Sequence, residues 1–261
     1  MEWTDQGILL SARRHGESAA IASLLTPGYG RHAGLVPGGG GRRMRATLQP
    51  GNLLQATWRA RLAEHLGYMT CELVEGWSAD LLDDDLRLAG LTAALALVDA
   101  ALPEREPHRR IYEDLAALIQ SLRSGEPLEA WGARFARFEA TVLADLGYGL
   151  DLASCAATGA TTGLTHVSPK TGRAVSSAAA APYKERLLTL PGFLLPNADA
   201  ATPVTRAELL AGLKVTGYFL EQNVFSHLPV LGGRENGQAE QRRGLPPARE
   251  RLLDKLARRA A

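Results

Sequence analysis

The spacing of the hydrophobic residues changes once along this chain, near Ser78, and that change limits the folds open to it. Before Ser78, apolar residues alternate with polar ones or form short runs broken by Gly and Pro, which is typical of β-strands. After Ser78 they recur about every 3.6 residues, which predicts amphipathic helices. We therefore predict an α+β protein with two domains, residues 1–78 and 79–261.

The first domain is predicted to contain five short strands. Their predicted ranges are 7–13, 18–25, 31–36, 52–62 and 68–76. Five strands in so short a stretch, with a glycine-rich loop after the third, predict a small closed β-barrel of the OB-fold type. An SH3-like barrel would show nearly the same pattern and stays open as an alternative.

The second domain is predicted to be mainly helical. The predicted helices are 88–102, 109–123, 129–146, 205–225 and 247–259. Residues 151–182 are rich in Ala, Thr, Ser and Gly and lack this period, so we expect an irregular segment there. For the acidic cluster at 83–85 we favour a helix N-terminus over a metal site, because carboxylates are stabilised by the helix dipole.

Positive charge is concentrated in the first domain, although the formal net charge of the chain is only +1. No Asp or Glu occurs between Glu17 and Glu64. The arginines of that interval are Arg31, Arg42, Arg43, Arg45, Arg59 and Arg61. A single surface arginine is usually only solvated, but a group without acids favours a polyanionic partner.

The loop after the third strand combines four consecutive glycines with three nearby arginines, Arg42, Arg43 and Arg45. Glycine backbone can cradle a phosphate, but the loop matches neither the P-loop nor the dinucleotide-binding motif. We therefore expect no nucleotide hydrolysis and predict that these arginines contact a nucleic-acid backbone. A mobile hairpin tip is the alternative.

Further arginines and aromatic residues are predicted on the strands. Alternation places Arg59 and Arg61 on the same side of the fourth strand, with Arg13 near the end of the first. Trp58, Tyr29 and Tyr68 are candidates for base stacking, but we expect each of them in the core, because strand aromatics mostly pack inward.

No catalytic residue set, metal site or cofactor is predicted. The six histidines are scattered and G-x-S-x-G is absent, while Cys71 and Cys155 are too few for a disulfide framework. The N-terminal residues are acidic where a secretory signal is basic, and no apolar run reaches the length of about 20 residues that a membrane span needs. We expect a cytoplasmic protein without a membrane partner.

Four stretches of the chain share their residues with one known family. They are RFEATVLADLGYGLDLASCA at 137–156, EWTDQGILLSARRHGESAAIASLLTPGYGR at 2–31, LQPGNLLQATW at 48–58 and LPPARERLLDKL at 245–256. These stretches, of which the first is the most specific, resemble the RecO family of bacterial recombination mediators.

The resemblance implies an OB-fold followed by a helical domain, and a protein associated with the nucleoid. It implies binding of single- and double-stranded DNA, annealing of complementary strands, contact with the acidic tail of single-strand binding protein, and cooperation with RecR in loading RecA. It places DNA-binding residues at Arg13, Arg42, Arg43 and Arg45, on or beside the barrel. No ATP hydrolysis is required, which agrees with the missing P-loop.

The chain departs from the family pattern after Gly147, where many relatives carry two C-x-x-C pairs for zinc. Here Thr158 stands three residues after Cys155, where a C-x-x-C pair would have its second cysteine, and residues 173–176 contain no cysteine. One thiolate cannot hold tetrahedral zinc, so we predict a degenerate zinc-finger-like segment that keeps its shape without metal.

Two other classes of function stay open from the sequence. An OB-fold module of replication or translation would bind nucleic acid without annealing strands. A protein-binding scaffold would direct its arginines to an acidic partner and bind no DNA. Candidate residues at the edge of a partner groove in the helical domain are Arg109, Arg110, Arg134, Arg137 and Lys214, with no basis for choosing among them.

Overall fold

The computed structural model describes residues 1–199, 202–227, 234–235, 238–239 and 244–258. Contacts divide the chain into two compact units, Met1–Gly125 together with Pro246–Ala261, and Glu126–Leu245. This division differs from the predicted domains 1–78 and 79–261, which stay a prediction about folding units. Among the described residues, no helix is both long and apolar enough to cross a bilayer.

The first unit is built on a closed five-stranded barrel, as predicted. Its strands are β1 (Glu2–His15), β2 (Ala19–Thr26), β3 (Gly30–Val36), β4 (Leu53–Arg59) and β5 (Tyr68–Glu75), in the order β1-β2-β3-β5-β4. Strand β1 begins five residues earlier than predicted, because its first half pairs with β4 and its second half with β2. Strand β4 ends three residues earlier than predicted.

The helices follow the predicted order. They are α1 (Asp85–Ala101), α2 (Arg109–Arg123), α3 (Leu128–Asp145), α4 (Ser177–Ala180), α5 (Arg206–Phe219) and α6 (Pro247–Arg258). Asp84 caps α1 by accepting hydrogen bonds from the backbone N–H groups of Leu86 and Arg87, so the acidic cluster marks a helix N-terminus as predicted. Residues 206–225 are helical, one residue after the predicted start, with a π-helix over Leu220–Phe225. Predicted residue 259 lies outside the described residues.

The barrel has apolar side chains on both sides of its wall. Leu9 and Leu24 point into the barrel and belong to its core. Ile8, Leu10 and Leu25 alternate with them, yet they are also buried, because α1 packs on β1 and α2 on β2. Helix α6 packs on α1 in the same unit. Part of the outer barrel wall is therefore covered by the unit's own helices.

The second unit combines two long helices with small sheets. Helices α3 and α5 run in the same direction, with Gly132 against Leu209 and Thr216 Oγ1 donating to the buried Glu139 carboxylate at 2.5 Å. The strands are β6 (Leu164–Val167), β7 (Ala174–Ser176), β8 (Leu188–Thr189), β9 (Arg234–Glu235) and β10 (Gln238–Ala239). Strands β6 and β7 and helix α4 lie within 151–182, so the expectation of an irregular segment there was wrong in part.

Candidate nucleic-acid interface

A shallow pocket at one end of the barrel is lined by three arginines, Arg13, Arg14 and Arg45. The first two stand at the end of β1 and the third follows a 3-10 turn in the loop after β3. The pocket has a volume of about 150 Å³, its other lining residues are Ala, Gly and Leu, and no carboxylate lines it. Three guanidinium groups around one cavity give it a positive charge, which suits an anion.

The glycine loop is bonded to the rest of the barrel through its own backbone. Gly39 N–H donates to Val36, Gly40 N–H to Ser18 at 2.9 Å, and Gly41 N–H to Gly38. A Cβ atom at Gly39 would lie only 2.9 Å from the Ala20 methyl, so the loop depends on glycine to approach β2. Because these three N–H groups are used internally, they do not cradle a phosphate. The groups left to contact an anion are therefore the arginine side chains.

Arg42 and Arg43 extend the basic surface beyond the pocket. They form the 3-10 turn Arg42–Met44, and both are exposed. Neither pairs with a carboxylate among the described residues, and the same holds for Arg13 and Arg45. The basic rim, as we call Arg13, Arg14, Arg42, Arg43 and Arg45, therefore presents its charge to solvent.

Arg31 has a different position from the one the sequence suggested. Its side chain is only 18% exposed and lies 3.4 Å from the Glu104 carboxylate and 3.7 Å from that of Asp99. Its Nε–H also donates to the Leu102 carbonyl at 2.8 Å. These contacts attach β3 to the segment after α1. The guanidinium group of Arg31 is therefore engaged within the unit and is not part of its exposed basic surface.

Arg59 and Arg61 do not share one strand face as predicted, because β4 ends at Arg59. Past that point, the backbone N–H of Ala60 donates to the Met1 carbonyl, and the chain turns away from the sheet before Arg61. Arg59 projects outward and pairs with Glu2 at 2.7 Å, with both side chains more than half exposed. Such a solvent-exposed pair is worth about 0–1 kcal/mol and can exchange for a phosphate.

The three aromatic candidates fall in different environments. Trp58 is buried in the barrel core, as predicted. Tyr29 is 40% exposed, but one of its faces is stacked on Trp3 at a centroid distance of 4.5 Å. Tyr68 is 63% exposed, so the expectation of core positions was wrong for Tyr29 and Tyr68.

Sequence reasoning did not select Arg14, and it named Tyr68 as a stacking candidate but placed it in the core, whereas both side chains are exposed. For Arg14 the signal was the run Arg13-Arg14 at a basic hairpin end. For Tyr68 the signal was the alternation of β5, in which Met69 and Cys71 point inward and their neighbours therefore point outward.

The barrel also contains a buried imidazole that takes no part in this surface. The His32 ring lies between Trp3 and Trp58, at centroid distances of 5.0 and 4.7 Å. Burial, followed by the charge of Arg105, lowers the pKa of His32 to about 4. This histidine is therefore neutral at ordinary pH and acts as part of the aromatic core.

In the second unit, Cys155 occupies the place where the sequence suggested a degenerate zinc segment. Its sulfur accepts a hydrogen bond from the Ser176 backbone N–H at 3.2 Å. Hydrogen bonds from the Ser176 side chain, the Thr158 side chain and the Ser176 backbone lower the pKa of the Cys155 thiol to about 6. One sulfur and two hydroxyl oxygens do not fit a tetrahedral zinc site, and the described residues contain no cluster of three or more metal-binding side chains.

The candidate residues for a partner groove also differ in their surroundings. Arg109 pairs with Glu113 at 2.9 Å on the same helix. Arg137 lies 5.5 Å from the centre of the Phe193 ring and donates to the Phe193 carbonyl at 3.1 Å. Burial, and then the charge of Arg134, lower the pKa of Arg137.

These features define an α+β protein whose barrel carries an unpaired basic rim. Two family models cover most of the chain: "Recombination protein O N terminal" matches residues 1–77 and "Recombination protein O C terminal" matches residues 82–231. The chain therefore belongs to the recombination protein O (RecO) family.

Curated relatives extend this similarity over nearly the whole length. The chain is 47% identical to the DNA repair protein RecO of Rhodospirillum rubrum, covering 100% of this chain and 98% of the relative. It is 50% identical to that of Rhodospirillum centenum, covering 90% and 92%, and 46% identical to that of a Ruegeria species, covering 99% and 100%.

Proposed function

We propose that this protein is a recombinational DNA repair mediator that binds single- and double-stranded DNA through the basic rim of an OB-fold barrel. It anneals complementary strands and, with RecR, helps to load RecA onto DNA coated by single-strand binding protein. It acts in the cytoplasm, on the nucleoid, without catalysing a reaction of its own.

The observation that carries this proposal is the basic rim. Its five arginines have no carboxylate partner among the described residues, in a chain of the recombination protein O family. Guanidinium groups that point to solvent bind phosphates without reading the sequence, which suits a mediator that meets any broken DNA. Neutralised phosphates also repel each other less, which favours annealing.

The strand order and the loops support the OB-fold part of the proposal. A barrel in the order β1-β2-β3-β5-β4 has its first hairpin and the loop between β4 and β5 available for oligonucleotides. Parts of the β2–β3 face are occupied by the unit's own helices, since Ser23 Oγ donates to the Asp99 carboxylate at 2.7 Å. We therefore assign oligonucleotide binding to the rim and the loops and not to the β2–β3 face.

Replacing Arg42, Arg43 and Arg45 together by Ala tests the role of the rim. We expect weaker binding by about the same factor for all DNA sequences, because phosphate contacts carry no sequence information. The slope of log K against log salt should fall by about 2 to 3 units, since each lost contact removes about 0.7 to 0.9. Fluorescence anisotropy at several salt concentrations measures both quantities.

A charge-matched control distinguishes the rim from total charge. Lys170, Lys184 and Arg186 are exposed in the second unit, and their joint replacement by Ala removes the same three charges. This control variant should keep most of the affinity for DNA and the full slope of log K against log salt. Equal losses in both triple variants would contradict a specific role of the rim.

Strand annealing separates the proposed mediator from the alternatives. We expect the protein to anneal complementary oligonucleotides coated with the cognate single-strand binding protein. A module of replication or translation would bind DNA but fail this assay, and a protein-binding scaffold would bind no DNA even at low salt.

The acidic tail of single-strand binding protein is the proposed protein partner. Arg134 is exposed and Arg137 is half-buried on α3, so both offer positive charge to the acidic residues of the tail. We favour these two residues over Arg109, whose charge is paired with Glu113.

A further inference from the structure

Tyr68 is an exposed aromatic residue on the barrel wall. It is the first residue of β5, and its side chain is 63% exposed. Its ring contacts no other aromatic ring among the described residues, whereas Tyr29 already stacks on Trp3. Most of the Tyr68 side chain is therefore accessible to a ligand.

The backbone around Tyr68 is held firmly in place. The Trp58 indole N–H donates to the Leu66 carbonyl and Arg105 donates to the His65 carbonyl, each at 2.9 Å. On the other side, the Leu35 N–H donates to the Gly67 carbonyl at 3.0 Å. The preceding loop is thus fixed at three points, so Tyr68 needs little ordering when it binds a ligand.

Strand register connects Tyr68 to the basic rim. Arg13 pairs with Ile21, Ile21 with Leu35, and Leu35 with Tyr68 across the β3–β5 contact. Three strand spacings of about 4.8 Å separate Arg13 from Tyr68, or about 14 Å along the barrel wall. That span corresponds to about four nucleotides at a stacked spacing of about 3.4 Å.

The immediate neighbours of Tyr68 match the two chemical parts of a nucleic-acid strand. Arg59 is its register partner on β4, and Arg61 lies in the loop between β4 and β5. Leu62 and Leu66 are also exposed in that loop. Cationic side chains suit phosphates, while an aromatic ring flanked by apolar side chains suits the face of a base.

We propose that Tyr68 stacks on an unpaired base of a DNA strand whose phosphates lie along the basic rim, so that this residue gives the protein its preference for single strands. This inference rests on the proposed DNA binding. It adds the part of the DNA that the protein recognises, which is an unpaired base. A base inside a duplex is already stacked on its neighbours, and its face is closed to Tyr68. Base–aromatic stacking tolerates any sequence, as an annealing protein requires.

Replacement of Tyr68 tests the proposal in the full-length protein. We expect Tyr68→Ala to weaken binding of a dT20 single strand about 5- to 100-fold, the range for loss of one base–aromatic stack. Binding of a blunt 20-base-pair duplex should change less than about twofold, because the rim is intact. Tyr68→Phe and Tyr68→Trp should keep single-strand affinity, since the ring and not the hydroxyl makes the contact.

Tyr183 offers a matched control, because it is 59% exposed but lies in the second unit. Tyr183→Ala should leave both affinities unchanged. Thermal unfolding of Tyr68→Ala checks that the barrel is intact, and a strand carrying 5-iodouracil should crosslink to the peptide containing Tyr68 on irradiation.

The outcomes separate this inference from the proposed function. Equal loss for single strand and duplex, or no loss for either, overturns the stacking role while leaving DNA binding by the rim in place. Loss of binding in Tyr68→Phe also overturns it, because a hydrogen bond would then be the cause. If the unaltered protein binds no DNA at low salt, the proposed function itself is wrong.

Discussion

The arginines of the barrel show why charge counts alone did not identify an interface. Arg31 and Arg42 come from the same acid-free interval of the sequence, yet only Arg42 is free of carboxylate partners among the described residues. The acids that pair with Arg31 lie about 70 positions further along the chain, on α1 and just after it. Composition over a window of sequence cannot show such pairs, because they depend on the packing of a helix against a strand.

Cys155 provides a prediction about single residues. The pKa of its thiol is lowered to about 6 by hydrogen bonds in the folded protein, so the folded state binds fewer protons than the unfolded state at neutral pH. The free energy of unfolding should therefore rise with pH between about 7 and 8. That window lies above the ordinary pKa of His, about 6.5, and below that of Cys, about 8.5. Urea unfolding at several pH values measures this dependence.

Cys155→Ser is the matched control for this titration, because Ser does not ionise in the same range. Its unfolding free energy should lack the rise, whereas Cys71→Ser should keep it, since burial raises the pKa of Cys71 to about 12. Metal analysis of the same preparations should find less than one zinc per chain. Stoichiometric zinc, or an identical pH dependence in Cys155→Ser, would refute the account of this segment as a hydrogen-bonded cluster.

Among the structural elements, the free edge of β3 is closed in two ways. Near its end, Leu35 pairs with Tyr68 of β5, whereas near its start Arg31 pairs with Glu104 and accepts a hydrogen bond from the Arg105 N–H at 2.8 Å. The link between α1 and α2 thus completes the barrel edge. It passes so close to Gly30 that a Cβ atom there would lie 1.9 Å from the Glu106 carbonyl oxygen.

Gly30→Ala should therefore destabilise the barrel more than a similar change elsewhere. Gly38 is the matched control, because its φ of +71° resembles the +65° of Gly30, while nothing lies within 4 Å of its added Cβ. Gly38→Ala should cost about 1–2 kcal/mol from the left-handed backbone alone. Gly30→Ala should cost roughly 1–3 kcal/mol more from overpacking, as measured by chemical denaturation. Equal costs would show that this link does not close the edge.

The elements that the sequence predicted best are those with a long hydrophobic period. Helix α2 has the predicted bounds, and α3 differs by one residue at each end. Strands β6 and β7 were missed because four and three residues are too few to show alternation. The predicted fourth strand was too long because alternation continues through Ala60 and Leu62, although the sheet pairing has already ended at Arg59.

The first unit combines elements from both ends of the chain, which the order of the elements in the sequence does not show. Helix α6 lies near the C-terminal end of the sequence, but it packs on α1 beside the barrel. Its periodic apolar face was visible in the sequence, whereas the partner of that face was not. A periodic pattern specifies which side of a helix is buried but not against which element, so contacts over such separations need the three-dimensional fold.

This composition predicts that a change in α6 weakens the distant barrel. Leu252 is 1% exposed on α6, and Leu252→Ala should lower the unfolding free energy of the first unit by about 2–5 kcal/mol through lost burial and a cavity. Trp3, Trp58 and Trp77 lie in that unit, so tryptophan emission in a Trp131→Phe background reports its unfolding. Arg251→Ala, an exposed change on the same helix, should leave the transition in place. If Leu252→Ala also leaves the barrel transition unshifted, α6 is not part of the barrel's cooperative unit, and the two ends of the chain fold independently.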